Sequence, residues 1–519
     1  MAKEHYDRLT AQDNSFLLWE TGNIRMHVAS CNIFDIGPLR SESGGVDIDM
    51  VKRATASILH LVPRYRQRLH QIPVFNHHVW VDDPRFDLSY HIRHTALPQP
   101  GSLSQLKDLV ARVMAQPLDR KRPMWETWIV EGLGGGDQFA MITKIHHCMI
   151  DGASGVDLAN IQFSISPEPA ELGEPERFRP RPAPRRLELF LDESKRQANV
   201  PNQILRDFRG FIDTTEDLKD EVETRVNAVG RLLGMGMSPD DTPLNGRVGP
   251  HRRFEWISCH MEDLKAMRKG LDCSINDIVL TIVTGAVREF LLAKGEDVKA
   301  VGFKVSTPVS VRKESDKGKL GNNVSSWIIP LPIEEADPRK QLKAIHDLTE
   351  ELKETNQAIG VQMMNQIQEW TPSTLLSLGA QAGAGPINSI VTNVPGPQMP
   401  LYFHGARLRA LYPAVPLMQG MGMGIALTSY AGTMGIGFNT DPDIIPDLGL
   451  FIARFQLSME KLGEVAGVEI GPVSDDVNDL LPDAAPKKKP ARKAARKASK
   501  PKKARATKTA AKRGAAKDA

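Results

Sequence analysis

Cysteine is scarce: Cys31, Cys148, Cys259 and Cys273 are the four in 519 residues. So few exclude a disulfide scaffold, and the usage suits a reducing compartment. No two of them form Cys-x-x-Cys, so a structural zinc site has no framework and no metal is expected. No run approaches the ~20 apolar residues of a membrane-crossing helix. The opening MAKEHYDRLT is too polar for an export signal. A cytoplasmic protein, soluble or peripheral to a membrane, is expected. Two catalytic signatures are also missing. Without Gly-x-Ser-x-Gly there is no nucleophile elbow, and without His-Glu-x-x-His no zinc-protease helix.

What is present is unevenly charged. The formal net charge of +3 conceals opposite regions. Residues 484–519 hold 15 Lys/Arg and one acidic residue, Asp518, which leaves 51 basic and 62 acidic side chains, a net of −11, in residues 1–483. The tail is almost wholly Lys, Arg, Ala and Pro. It has nothing from which to build a core, and disorder is expected. Such a tail suits non-specific binding to DNA or to anionic lipid, with steep salt dependence.

The body, 41% hydrophobic over the whole chain, is long enough to bury a full core. Trp125–Val130 and Phe139–Ile145 read as strands of a hairpin around the glycines at 132 and 134–136. A proline-rich stretch begins near Pro167, Leu187–Met235 reads as helical, and a second break covers Ser238–Gly249. Ser274–Lys294 reads as an amphipathic helix with Ser274 as N-cap and Asp277 in the capping-box position. Ile425–Thr428 and Met434–Phe438 flank a second turn. The resulting division is 1–165, a connector 166–250, a second α/β half 251–475, and the tail 484–519.

The strongest chemical signal is His146-His147-Cys148-Met149-Ile150-Asp151-Gly152, where the second hairpin strand ends in a glycine-containing loop. A histidine displayed there can act as a general base near neutral pH. Asp151 can lock the loop through an ion pair, and Gly152 allows a backbone conformation closed to other residues. Two histidines and an Asp-Gly turn also arise without any catalytic role. His77-His78-Val79-Trp80-Val81-Asp82-Asp83 has the same spacing and lacks only the glycine. Cys148 and His147 are neighbours that face apart on an extended chain, which disfavours a Cys–His nucleophile.

His-His-x-x-x-Asp-Gly resembles the signature of the coenzyme-A-dependent acyltransferase superfamily. The chain more specifically resembles the bacterial wax ester synthase/acyl-CoA:diacylglycerol acyltransferase family across residues 7–473. Similar blocks are Leu9–Asp13, Met26-His27, Phe86–Leu88 with His91, and Pro98–Gly101. Pro117–Glu126, Asn276–Leu280, Gly321–Asn323 and Thr392–Pro397 continue the likeness. Met124 stands where many members have leucine, a volume-conserving change. The tail has no counterpart in the family's core.

The resemblance implies a mixed α/β fold: two chloramphenicol-acetyltransferase-like halves with a helical connector. It further implies acyl transfer from acyl-CoA to diacylglycerol or a long-chain alcohol, with His147 as base and His146, Asp151 and Gly152 supporting it. Pro123, Met124, Trp125, Asn276, Asp277 and Asn393 become candidate substrate-binding residues. Asn276 and Asp277 have capping or domain packing as their alternative, and Gly420, Gly422 and Gly424 either line an acyl tunnel or permit close packing. No cofactor is implied, acyl-CoA being a substrate. A membrane or lipid-body surface is the expected meeting place with the acceptor. The competing functions are an inactive nucleic-acid- or membrane-binding scaffold and an amine-accepting acyltransferase.

Overall fold

A computed structural model of the chain describes residues 6–149, 158–169, 171–199, 239–310, 324–354, 385 and 387–480. In chain order the strands are β1 (Asp7–Arg8), β2 (His27–Asp35), β3 (Gln67–Ile72), β4 (His77–Asp82), β5 (Ile92–Ala96), β6 (Trp125–Leu133), β7 (Gln138–His146), β8 (Asn245–Gly246) and β9 (Arg253–His260). They continue with β10 (Lys304–Ser310), β11 (Val324–Pro330), β12 (Ser389–Val394), β13 (Tyr402–Phe403), β14 (Ala406–Ala414), β15 (Gly420–Met421), β16 (Met423–Tyr430) and β17 (Thr433–Thr440). The longer helices are α1 (Ala11–Trp19), α2 (Ile48–Ile58), α3 (Leu103–Ala115), α4 (Met261–Leu271), α5 (Ile275–Ala293), α6 (Pro338–Glu354) and α7 (Leu448–Ala466).

Two six-stranded mixed sheets dominate. The first runs β13-β14-β2-β7-β6-β5 and the second β11-β10-β12-β16-β17-β9. Both expected hairpins form. The β6–β7 connection uses Gly132, Gly134, Gly135 and Gly136, all at positive φ, which explains the glycine run without any ligand. The β16–β17 turn puts Ala431 and Gly432 at positive φ, as a two-residue hairpin loop requires.

The sheets do not follow the linear division at residue 251. β14 lies in the C-terminal part of the sequence, yet it pairs antiparallel with β2, Tyr412 opposite Cys31. The first sheet is therefore completed by a strand from beyond the second half's start. The sheets meet where β17 passes β14. A Cβ built on Gly435 would lie 2.3 Å from the Leu411 carbonyl oxygen, and one on Gly437 2.1 Å from that of Pro413. Trp256 of β9 stacks on Tyr412, 4.7 Å between rings, and Lys107 of α3 reaches Glu255 and Asp475 at 2.9 and 2.7 Å.

α5 crosses the core of the second half. Its expected capping box forms, with Ser274 Oγ accepting from the Asp277 N–H and the Asp277 carboxylate from the Ser274 N–H. Ile278, Val279, Ile282, Val283, Ala286, Val287, Phe290 and Leu291 are all buried, so the helical periodicity reports true packing.

Of the connector, 166–169, 171–199 and 239–250 are described, and the segment 186–199 is helical. It docks on the small sheet β1-β4-β3 through buried Leu189, which packs with Ile72, Val79 and Val81. Arg181 chelates Asp82 and Arg8 pairs with Glu193. Residues 200–238, Gly321–Asn323 and the whole tail 484–519 lie outside the described residues.

Candidate active site

β7 carries the histidine motif to its end. Its alternation puts Lys144 and His146 on one face, and the chain then tightens into a one-turn helix, His147–Met149. His146 is fully buried while His147 remains partly exposed. His146 Nδ1 accepts the Cys148 N–H at 3.2 Å, which leaves the neutral ring's proton on Nε2. That bond also closes the turn that displays His147. The His147 N–H donates to the Met26 carbonyl at 2.8 Å, and the His146 N–H to the Met124 carbonyl at 3.0 Å.

α1 covers both histidines. Thr10 caps it, its hydroxyl accepting the Asp13 N–H. Phe16 stacks on His147, ring centroids 4.1 Å apart at 27°. Glu20, four residues on and at the helix end, sits over His146 and His27. Residues four apart share a helix face, so one face serves both rings. Glu20 Oε1 lies 3.2 Å from His27 Nε2, and Oε2 lies 3.5 Å from His146 Nε2. Both approaches are at ion-pair distance without the alignment of a linear hydrogen bond. Arg120 supplies the aligned bonds, Nη2 at 2.8 Å and Nε at 3.2 Å from Oε2.

The electrostatics follow from this burial. Burial by itself would raise the Glu20 carboxyl, but His146 and His27 more than reverse it, holding it well below the usual carboxylate range. His27 is pushed down to about 4, by burial first, with Glu20 opposing. Beneath the hairpin, fully buried Lys144 donates to the Val113 and Gln116 carbonyls and pairs with Glu126 at 2.6 Å. Glu126 is shared with Arg93 at 2.8 Å. Burial lifts the Cys148 thiol well above its ordinary value, so it is protonated and no nucleophile.

Pro123 and Met124, which precede β6, and Trp125, which opens it, divide. Met124 is fully buried in the apolar cluster that also contains Phe16, Met26, Trp80 and Cys148, directly against the histidine turn. Pro123 is buried, and its carbonyl accepts the Trp125 N–H. Trp125 faces the other way, into the first sheet's core. It is sandwiched between Tyr65 and His91, at 4.4 and 4.5 Å, and donates Nε1–H to the Tyr65 carbonyl.

The second-half candidates form a group of their own. Asn393 Nδ2 donates to Asn276 Oδ1 at 2.8 Å, joining β12 to the first turn of α5. Asp277 is fully buried: beyond the capping box it accepts Thr349 Oγ1 at 2.8 Å and contacts His346 Nδ1 at 3.0 Å, both on α6. Of the alternating glycines, Gly420 has nothing within 4 Å and adopts φ +89, whereas Gly422 and Gly424 face packed atoms. A Cβ on Gly422 would meet the Leu244 carbonyl at 2.6 Å and one on Gly424 the Val415 side chain at 2.7 Å, so close packing accounts for these two. Asp151 and Gly152 lie outside the described residues. His77 and His78, the look-alike pair, belong to β4, where His77 meets the Leu9 carbonyl and His78 meets Asn14.

Glu20, Phe16 and Arg120 escape a local reading of the sequence, since none sits in a chemical motif. The available signal was the i, i+4 spacing of Phe16 and Glu20 at the end of a capped helix. Among the described residues no helix is long and apolar enough to cross a membrane, and no group of three or more His, Cys, Asp or Glu is arranged to hold a metal ion.

Comparison with known proteins adds the family. Residues 9–279 match the model of the wax ester synthase/diacylglycerol acyltransferase catalytic domain, and residues 320–463 that of the WS/DGAT C-terminal domain. A Mycobacterium tuberculosis H37Rv protein, named provisionally as a diacylglycerol O-acyltransferase, is 30% identical over 482 residues, 88% of this chain and 90% of its own. Among solved structures, the wax ester synthase/diacylglycerol acyltransferase of Marinobacter aquaeolei VT8 is similar with a TM-score of 0.60 and 23% identity, covering 89% of this chain and 100% of its own. The starter condensation domain of rhizomide synthetase is similar in fold, with a TM-score of 0.55, 12% identity, and 90% and 96% coverage.

Proposed function

The chain belongs to the wax ester synthase/diacylglycerol acyltransferase family, and from that premise we propose that His147 is its general base for direct acyl transfer. The donor is a long-chain acyl-CoA and the acceptor the hydroxyl of diacylglycerol, with a long-chain alcohol as the related acceptor for wax ester. His147 takes the hydroxyl proton as the oxygen attacks the thioester carbonyl. The tetrahedral intermediate expels the coenzyme A thiolate, which receives that proton. The thioester is already activated, so the reaction calls for no resident cofactor or metal.

The observation that carries this reading is the contrast within the histidine pair. His146 is sealed under Glu20 with Nδ1 spent on the Cys148 N–H. His147 is partly exposed, donates its backbone N–H to the Met26 carbonyl and stacks on Phe16. Met124 against the same turn suits an acyl-chain contact. The Asn276–Asn393 pair belongs, on this reading, to the opposite side of the substrate path.

The acceptor lives in a lipid phase, and the enzyme works on this reading at a membrane or lipid-body surface. Exposed Val74 and Leu187 are consistent with shallow contact, and the basic tail is the proposed tether to anionic lipid or DNA. The deciding assay offers purified enzyme palmitoyl-CoA with diacylglycerol and hexadecanol in competition and separates the products. His147→Ala should lower turnover roughly 100- to 10,000-fold with the fold intact, and His146→Ala less. Formation of neither ester overturns the lipid reading; equal small losses overturn the assignment of His147.

A further inference from the structure

The least expected feature near the motif is a carboxylate buried among three cationic or potentially cationic groups. Glu20, with 7% of its side chain exposed, lies within 3.5 Å of His27, His146 and Arg120. Sealing a charge from water is costly unless it is paired, and Arg120 alone would satisfy it. A structural bridge does not require two imidazoles, fully buried and turned toward the same carboxylate.

We propose that Glu20 is a positioning residue for His147, acting through His146 and the His147–Met149 turn. This rests on the reading of His147 as the base. Three links connect them. The Glu20 carboxylate faces His146 Nε2 and favours the tautomer with its proton there. In that tautomer Nδ1 is a lone-pair acceptor, and it takes the Cys148 N–H. That bond shapes the turn on which His147 stands. A carboxylate orienting the histidine that shapes a site is established physical logic for metal-bound and catalytic imidazoles. Here the oriented imidazole precedes the base in sequence instead of being the base.

Two further contacts tie the same helix end to the base. Arg120 Nη2 donates to the Leu17 and Glu20 carbonyls as well as to the carboxylate, clamping the last turn of α1. One turn earlier on that helix, Phe16 stacks on His147. Glu20 thus fixes both the ring beneath the base and the helix above it. Charge acts along with shape. A negative carboxylate favours the imidazolium that His147 becomes during transfer, and Arg120 moderates it. The other charged groups acting on this cluster are Lys144, which acts on Glu20 and His27, and Asp13 and Arg64, which act at Cys148.

The test is the pH dependence of kcat and KM for palmitoyl-CoA in the full chain and three variants, with circular dichroism to confirm folding. Glu20→Gln keeps the shape and removes the charge. It should lower kcat roughly 10- to 100-fold through misplacement of the base, leave KM within about twofold, and move the acidic limb of the profile to lower pH. Arg120→Gln unmasks the carboxylate and should move that limb to higher pH. This opposite shift shows that the charge of the pair reaches the base, which a bridge that does not act on His147 would not produce, and it carries the test should Glu20→Gln not fold. Limbs unmoved in both variants, or moved in the same direction, overturn the inference. His147→Ala separates the two readings. If it retains activity the base assignment fails, whereas an inactive His147→Ala beside an unaffected Glu20→Gln refutes only the role of Glu20.

Discussion

Replacing Gly437 by alanine tests the joint between the two sheets. The added Cβ would lie 2.1 Å from the Pro413 carbonyl oxygen and 3.0 Å from the Phe254 ring. A carbon–oxygen contact settles near ~3.3 Å, so the carbonyl must retreat by about 1.2 Å. Pro413 has little freedom to do so, because β14 is paired with β2 there, Pro413 opposite Ser30. The displacement would reach the first sheet. Overpacking costs about 1–3 kcal/mol when side chains can yield. Here the obstacle is backbone, which places the expected loss at about 3 kcal/mol or above. Gly432→Ala is the control: it sits at φ +93 with nothing within 4 Å, so it carries only the left-handed backbone penalty of about 1–2 kcal/mol. The assay is urea unfolding followed by both tryptophan fluorescence and circular dichroism, so that departure from two-state behaviour is visible. A Gly437→Ala protein within about 0.5 kcal/mol of the parent, or one less affected than Gly432→Ala, would refute the reasoning.

Three more outcomes are expected. Acid should destabilise the body early, because burial pushes His27, His77 and His91 down to about 4, 3 and 4. Their folded values lie below the ordinary 6.5, so the unfolded chain takes up protons first as pH falls, and each histidine removes about 1.4 kcal/mol per pH unit until its folded value is reached. A thermal midpoint that stays level from pH 6.5 to 4.5 would contradict this. Asp277→Ala removes the carboxylate half of the capping box and the contacts with Thr349 and His346 and should cost about 3 kcal/mol; lost turnover with unchanged stability would instead place Asp277 in the chemistry. Truncation after Asp483 should leave the acyl-transfer rate in detergent unchanged and weaken retention on DNA or anionic vesicles at low salt, and equal retention by both proteins removes any such role from the tail.

The sequence by itself determined what depends on near neighbours. The β6–β7 and β16–β17 hairpins follow from alternation and turn residues, and α5 from a capping box and a 3.6-residue repeat. The motif ending at Gly152 could be read because its residues are contiguous, and the resemblance rested on blocks of the same local kind. The acidic body and basic tail needed only counting. Tertiary structure decided what joins distant residues. It placed β14 in the first sheet, paired Asn276 with Asn393, and gave the Asp277 carboxylate Thr349 and His346 of α6 as partners. It also gathered Glu20, His27, Arg120 and His146 into one buried cluster. Local periodicity determines which face of an element is apolar, but not which element covers it. That choice is made when the whole core packs, and a carboxylate such as Glu20 can be buried only where packing also supplies its counter-charges.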